Sequence, residues 1–217
     1  MSYIKNNINN LLLFLYPKKC MFCDEVINVY EEDFTCKYCK QTIELNQENR
    51  PSNISVFDYN EHIRLVILKM KYLNKKQYAK GFAYFMANTF EIENDLDYDI
   101  VINVPMYYKK KKKRGYDQAE ELAREFSNIV GIKFEPDNLI RNKNTVAQSK
   151  VAYGDRKKNV RGIFEIKNIE NIKDKNIILV DDVYTSGNTM KQCAITLQKA
   201  GANRICYLTL ASAGKNK

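Results

Sequence analysis

The run NIILVDDV at 176–183 constrains the fold more than any other stretch. Its apolar residues follow one another without alternating. That is the pattern of a strand covered on both faces, as strands of parallel sheets are. YDIVINVP at 98–105 is a second β-branched run, stopped by proline, and RICYLTLA at 204–211 is a third. Between such runs lie helical patterns. One spans 60–72, with Ile63, Val66, Ile67 and Met70 on one face, and another about 76–92, with Ala79, Phe82, Ala83, Met86 and Phe90. A third covers 116–130, with Ala119, Leu122, Ala123, Phe126 and Val130 inward and Gly131 as its stop. A fourth runs from about 188 to 200 with Met190, Cys193, Ala194 and Leu197. Strands alternating with helices after residue 55 predict an α/β fold with a doubly wound, mainly parallel sheet. Ligand sites in such sheets lie at the carboxyl ends of the strands. The turns after Val104 and Val183 fall there.

The first fifty residues read differently. Residues 3–16 predict a short helix ended by Pro17, and RPSN at 50–53 marks a boundary. The expected division is therefore 1–50 and 51–217. LLLFLY at 11–16 is shorter than the roughly 7–15 residues of a signal-peptide core. No run reaches the ~18–20 apolar residues of a membrane span, so a cytoplasmic location is expected. Cys20-x2-Cys23 and Cys36-x2-Cys39 stand twelve residues apart. Two facing turns with two thiolates each close a tetrahedron that suits zinc. Four thiolates leave no open position, so the predicted ion is structural. Some thirty residues cannot build a sufficient core, and the metal supplies what the core lacks.

Charge points to anionic partners. The formal net charge is +9. Residues 1–50 carry six Lys/Arg against seven Asp/Glu, so the excess of positive charge belongs to the rest. Lys109 to Arg114 are six consecutive cations. A basic domain of this kind expects phosphate, pyrophosphate or nucleic acid. With His62 the single histidine, triads that need a histidine base have one possible donor.

In the segment 180–189, Gly187 permits a tight turn. The N–H groups from about Tyr184 through Thr185, Ser186, Gly187 and Asn188 to Thr189 can face one concavity. The following helix adds the positive end of its dipole. Hydroxyls of Thr185, Ser186 and Thr189 add donors. Neither a Walker loop nor a dinucleotide fingerprint is present. The adjacent acids Asp181 and Asp182 suit the 2- and 3-hydroxyls of a ribose whose 5-phosphate sits in the turn.

This stretch closely resembles the phosphoribosyl pyrophosphate signature of class I phosphoribosyltransferases: four apolar residues, two acids, two further positions, then Thr-Ser-Gly-x-Thr. Other segments resemble the ComF family of competence proteins, from about residue 11 to 211. They are LLLFLYPKKCMFC with the second cysteine pair, NVPMYYKKKKKRGYDQAEELA, and TVAQSKVAYGDRKKNVRGIFEI. Asp117 stands where that family usually has Asn, Met106 and Tyr107 replace a more usual Val-Pro, and Ser186 replaces a common Thr.

The resemblance implies the class I phosphoribosyltransferase fold with an N-terminal zinc ribbon, and phosphoribosyl pyrophosphate bound with Mg²⁺. Asp181 and Asp182 would contact the ribose and act at the reacting centre. Tyr184, Thr185, Ser186, Gly187, Asn188 and Thr189 would take the 5-phosphate. Pro105 and Arg114 would meet the pyrophosphate, with Lys109 to Arg114 in a mobile loop or, as a plain alternative, a solvated face. Arg156, Asn159 and Arg161 lie in a polar stretch that can line the site. The family resemblance further implies DNA uptake in natural competence, with single-stranded DNA and other competence proteins as partners. Two readings stay open: a transferase with an unknown acceptor, or a non-catalytic phosphoribosyl pyrophosphate or nucleotide sensor that handles single strands.

Overall fold

The structure, a computed structural model, describes residues 17–28, 30–31, 33–73, 75–93, 97–142 and 162–213. Five parallel strands form its centre: β1 (Asn53–Asp58), β2 (Ile100–Asn103), β3 (Lys133–Phe134), β6 (Asn176–Tyr184) and β7 (Arg204–Ser212). Their order is β1-β7-β6-β2-β3. Register pairs Ile100 with Ile177 and Asn103 with Val180 on one flank of β6. On its other flank Asn176 pairs with Arg204 and Tyr184 with Ser212. The doubly wound parallel sheet expected from the sequence is present.

Helices cover both faces. Ile178 and Val180 point to a core shared with α2 (Glu61–Tyr72), α3 (Tyr78–Glu93) and α5 (Gln118–Val130). Ile177 and Leu179, one residue out of phase, face α6 (Asn188–Lys199). Every residue from Ile177 to Val180 is thus buried, which is why the run does not alternate.

The topology fixes where a ligand can sit. After β2 the chain returns through α5 to β3 on one side. After β6 it returns through α6 to β7 on the other. Strand order reverses between β2 and β6, so the two connections part at their carboxyl ends and leave a crevice.

Several elements escaped the sequence reading, the two-residue edge strand β3 among them. β1 follows the boundary at 50–53 directly; it is a six-residue strand whose partner, β7, lies about 150 residues away. β4 (Leu139–Arg141) and β5 (Phe164–Ile166) form a separate antiparallel pair. The basic run, expected as a loop, is a seven-residue helix, α4 (Tyr108–Arg114). It closes on Gly115 in the left-handed region, whose N–H reaches the Lys111 carbonyl. Lys111 also meets Glu120 at 2.5 Å, which relieves part of the like-charge repulsion. The expected helix at 3–16 and the residues Arg156, Asn159 and Arg161 lie outside the described residues.

The cysteine-bearing segment, which includes the short helix α1 (Lys37–Thr42), sits on the sheet domain. Phe22 meets the rings of Phe57, Phe82 and Phe85 at 6.0, 6.3 and 5.9 Å, edge to face. Cys20, Met21, Phe22 and Cys39 belong to the same apolar cluster as α2 and α3. Among the described residues, no helix is long and apolar enough to cross a membrane.

Candidate functional site

The acid pair lies in β6, which runs four residues past the apolar stretch because its tail still pairs with β7. The Asp182 N–H donates to Asp181 Oδ1 at 2.8 Å. Burial pushes the Asp181 carboxyl well above the ordinary carboxylate range, and the Asp182 charge adds to the rise. The Asp182 N–H and Lys71 oppose it. Lys71, from the last turn of α2, meets Asp182 Oδ2 at 2.6 Å.

Past the acids, Tyr184 still belongs to the strand, and its carbonyl accepts the Ala213 N–H at 2.8 Å. Thr185 and Ser186 are exposed. Gly187 takes φ 68° and starts α6 as its N-cap, with no side chain capping the first turn and no acid within it. A helix start left open in this way offers its N–H groups and dipole to an anion. The Tyr184 ring packs on Gly187, so a Cβ there would lie 2.4 Å from the tyrosine hydroxyl. Asn188 and Thr189 are exposed in the first turn.

Across the crevice the chain leaves β2 through Val104 and Pro105. A cleft of about 210 Å³ lies between the two strand ends. Asp181, Asp182 and Thr189 line it from one side, Pro105 and Arg114 from the other. Five of the residues expected from the sequence therefore share one cavity. Tyr184, Thr185, Ser186, Gly187 and Asn188 do not line that cavity; they form the adjoining turn.

Residues 81–217 match the family described as phosphoribosyl transferase domain. The chain belongs to that phosphoribosyl transferase family. Its β6 turn and crevice are the places where the family signature was read in the sequence. Among curated proteins, the chain is 31% identical over 116 residues to Competence protein F of Haemophilus influenzae, covering 53% of this chain and 51% of that protein. It is 22% identical over 153 residues to DNA utilization protein YhgH of Salmonella typhi, with 69% and 66% covered. It is 27% identical over 199 residues to Competence protein ComFC of Bacillus subtilis, with 88% and 76% covered. The chain spans about half the length of the Haemophilus relative. These relatives bear out the resemblance to the ComF family.

In this phosphoribosyl transferase crevice Lys110, from the basic run expected beside the pyrophosphate, also lines the cleft. Asp117, Gln118 and Arg141 line it too, and were not among the expected site residues. Asp117 is 4% exposed. It caps α5 by accepting the Ala119 N–H at 3.0 Å, while its second oxygen accepts the Met106 N–H at 2.8 Å. Burial raises its carboxyl above the usual range, and the N–H bonds from Met106 and Glu120 pull the other way. Gln118 accepts from Arg114. Asp117 and Gln118 lie in the stretch GYDQAEELA, where the helix-start pattern is the available signal. Lys71 and Arg141 carry no local signal; tertiary folding alone brings them in. A smaller cleft of about 150 Å³ lies beyond Pro105 and Met106, lined also by Asn103, Tyr108 and Asp137.

The four cysteines converge as expected. The sulfurs of Cys20, Cys23, Cys36 and Cys39 all lie within 4.8 Å of one another. A tetrahedron of thiolates about 2.3 Å from zinc has edges of about 3.8 Å, and Cys23 and Cys36 stand 3.7 Å apart. Cys20 Sγ accepts the Cys36 N–H, and Cys36 Sγ the Cys39 N–H, both at 3.4 Å. Burial raises the Cys20 thiol, but backbone N–H groups of Cys23, Cys36 and Phe22 outweigh it and bring it down. The donor set can hold a metal such as zinc.

Proposed function

We propose that this protein binds phosphoribosyl pyrophosphate in the crevice between β2 and β6 and transfers its phosphoribosyl group to an acceptor. The observation that carries this reading is the pairing, within one strand–turn–helix, of two carboxylates with an uncapped helix start. The 5-phosphate would take the N–H groups and hydroxyls of Thr185 to Thr189. The 2- and 3-hydroxyls would donate to Asp181 and Asp182. The pyrophosphate would extend toward Pro105, Lys110 and Arg114.

Departure of pyrophosphate leaves positive charge on the sugar and adds negative charge to the leaving group. Asp181 and Asp182 lie on the sugar's side, and Arg114 and Lys110 on the other, so the site charges follow the reaction. Three carboxylates, Asp117, Asp181 and Asp182, offer the hard oxygens that suit Mg²⁺. Bound there with the ligand, the ion would neutralise the leaving pyrophosphate. The ribbon at 1–50 would hold a structural zinc and ride on the phosphoribosyl part at 51–217.

The names of the relatives support a place in DNA uptake or DNA use, with competence proteins as partners in the cytoplasm. The exposed Tyr108 on the cationic α4 favours a second reading, in which the site binds its ligand without turnover and the protein handles single strands. Pyrophosphate release from phosphoribosyl pyrophosphate, measured against a panel of bases and single-stranded DNA, separates the two. Turnover with one acceptor supports the transferase. Calorimetric binding without turnover supports the sensor. Asp181→Asn with Asp182→Asn should abolish binding and keep the fold; binding equal to the parent would remove the ribose assignment.

A further inference from the structure

The far end of α2 reaches the acid pair from behind. Lys71 Nζ lies 2.6 Å from Asp182 Oδ2, with 20% and 17% of the two side chains exposed. Lys71 does not line the cleft, whereas Asp182 does. The helix that carries it is held along its length. His62 Nε2 lies 3.2 Å from the Phe22 carbonyl oxygen, and Lys69 meets Asp24 at 2.5 Å, both in the cysteine-bearing segment. In the last turn Tyr72 lies under Arg114, whose guanidinium carbon is 5.1 Å from the ring centroid. Lys71 is therefore delivered to Asp182 by an element fixed on both sides of it.

Two neighbouring carboxylates in a partly buried place repel, and without a counter-charge one of them turns away. A partly buried ion pair of this kind is weak evidence for stability. What it does supply is orientation: one Asp182 oxygen is taken, and the other is left for a ligand hydroxyl. We propose that Lys71 is a positioning residue that holds Asp182 for a vicinal diol, so that the crevice prefers a ribose phosphate to bare phosphate. The proposal rests on the assignment of Asp181 and Asp182 to the ribose.

The test uses the full chain and calorimetric titration with two probes, ribose 5-phosphate and inorganic phosphate. The parent protein should bind ribose 5-phosphate more tightly. Lys71→Met should weaken ribose 5-phosphate on the order of tenfold, the worth of a hydrogen bond to a charged group. It should leave inorganic phosphate unchanged, which also shows that the variant is folded. Lys71→Arg should restore most of the preference. Lys71→Met added to Asp182→Asn should cost nothing further. A parent that shows no preference between the probes would overturn the ribose assignment itself. A parent with that preference, and a Lys71→Met variant that keeps it or loses both probes alike, would overturn the role of Lys71 alone. If Lys71→Met fails to fold, Lys71→Gln in the same comparison decides it.

Discussion

Asp117 joins two segments that the sequence keeps eleven residues apart: one carboxylate oxygen accepts the Met106 N–H while the other caps α5. Only a group with two acceptors can do both. The related family usually has Asn at this place, and Asn offers one acceptor and one donor. In Asp117→Asn the cap can survive while the amide nitrogen confronts the Met106 N–H. The turn after Pro105, which lines the cleft, must then shift. Stability in urea should change by less than about 1 kcal/mol, because relief of a buried charge offsets the lost bond. Affinity for phosphoribosyl pyrophosphate should fall several-fold by calorimetry. Unchanged affinity would show that the Met106 turn takes no part in binding.

Gly187→Ala tests the cradle. The residue has φ 68°, and the added carbon would lie 2.4 Å from the Tyr184 hydroxyl and 2.6 Å from the ring carbon bearing it. The left-handed conformation costs about 1–2 kcal/mol for a residue with a Cβ. The tyrosine must also move from a helix start that should meet phosphate. We expect a drop in thermal midpoint of several degrees and loss of inorganic phosphate binding, read by scanning calorimetry and titration. Retention of phosphate binding would place the anion elsewhere.

The sheet and the crevice were legible because buried parallel strands leave an unbroken apolar run, as at Ile177 to Val180, and because a turn that must fold around an anion needs Gly187 and hydroxyls. The thiolate centre was legible because metal geometry is imposed by local spacing. Lys71, Arg141 and β1 were not. Each acquires its place only through partners distant in sequence: Asp182 for Lys71, β7 for β1, and the β4–β5 pair for Arg141. The helix in the basic run was missed for another reason. Five lysines in a row look self-repelling, and the acid that tempers them, Glu120, comes from the next helix.

Asp181→Asn should separate function from stability. Its folded carboxyl is raised well above the ordinary value by burial, with the Asp182 charge adding to it. An acid raised in the folded state favours folding while protonated. That contribution is complete below the unfolded value near 4 and is lost as pH rises toward the folded one. The parent should therefore lose stability across that window relative to Asp181→Asn. The two proteins should melt alike near pH 4, and the variant should be more stable at pH 7 by on the order of 1 kcal/mol. Ligand binding should vanish in the same variant. A variant less stable than the parent at pH 7 would show that the Asp181 charge is not held at a cost.

Gly81→Ala tests whether the cysteine segment and the sheet domain are one cooperative body. A Cβ on Gly81, in α3, would stand 2.3 Å from the Asp33 carbonyl oxygen and 3.1 Å from Met21 Sδ. Neither neighbour moves freely. Asp33 pairs with Lys40 at 2.8 Å and accepts the Thr35 N–H, one residue before Cys36. Met21 is fully buried between Cys20 and Phe22. Overpacking such a seam costs typically about 1–3 kcal/mol. The displaced loop carries the second thiol pair with it. Gly81→Ala should lower the single melting transition and release metal sooner under chelator, followed by elemental analysis of the dialysed protein. Chelation of the parent should likewise lower the melting of the whole chain, because Cys20 and Cys39 belong to the same apolar cluster as Phe57 and Phe82. Two separate transitions, with only the smaller one sensitive to chelator, would show that the two parts fold independently.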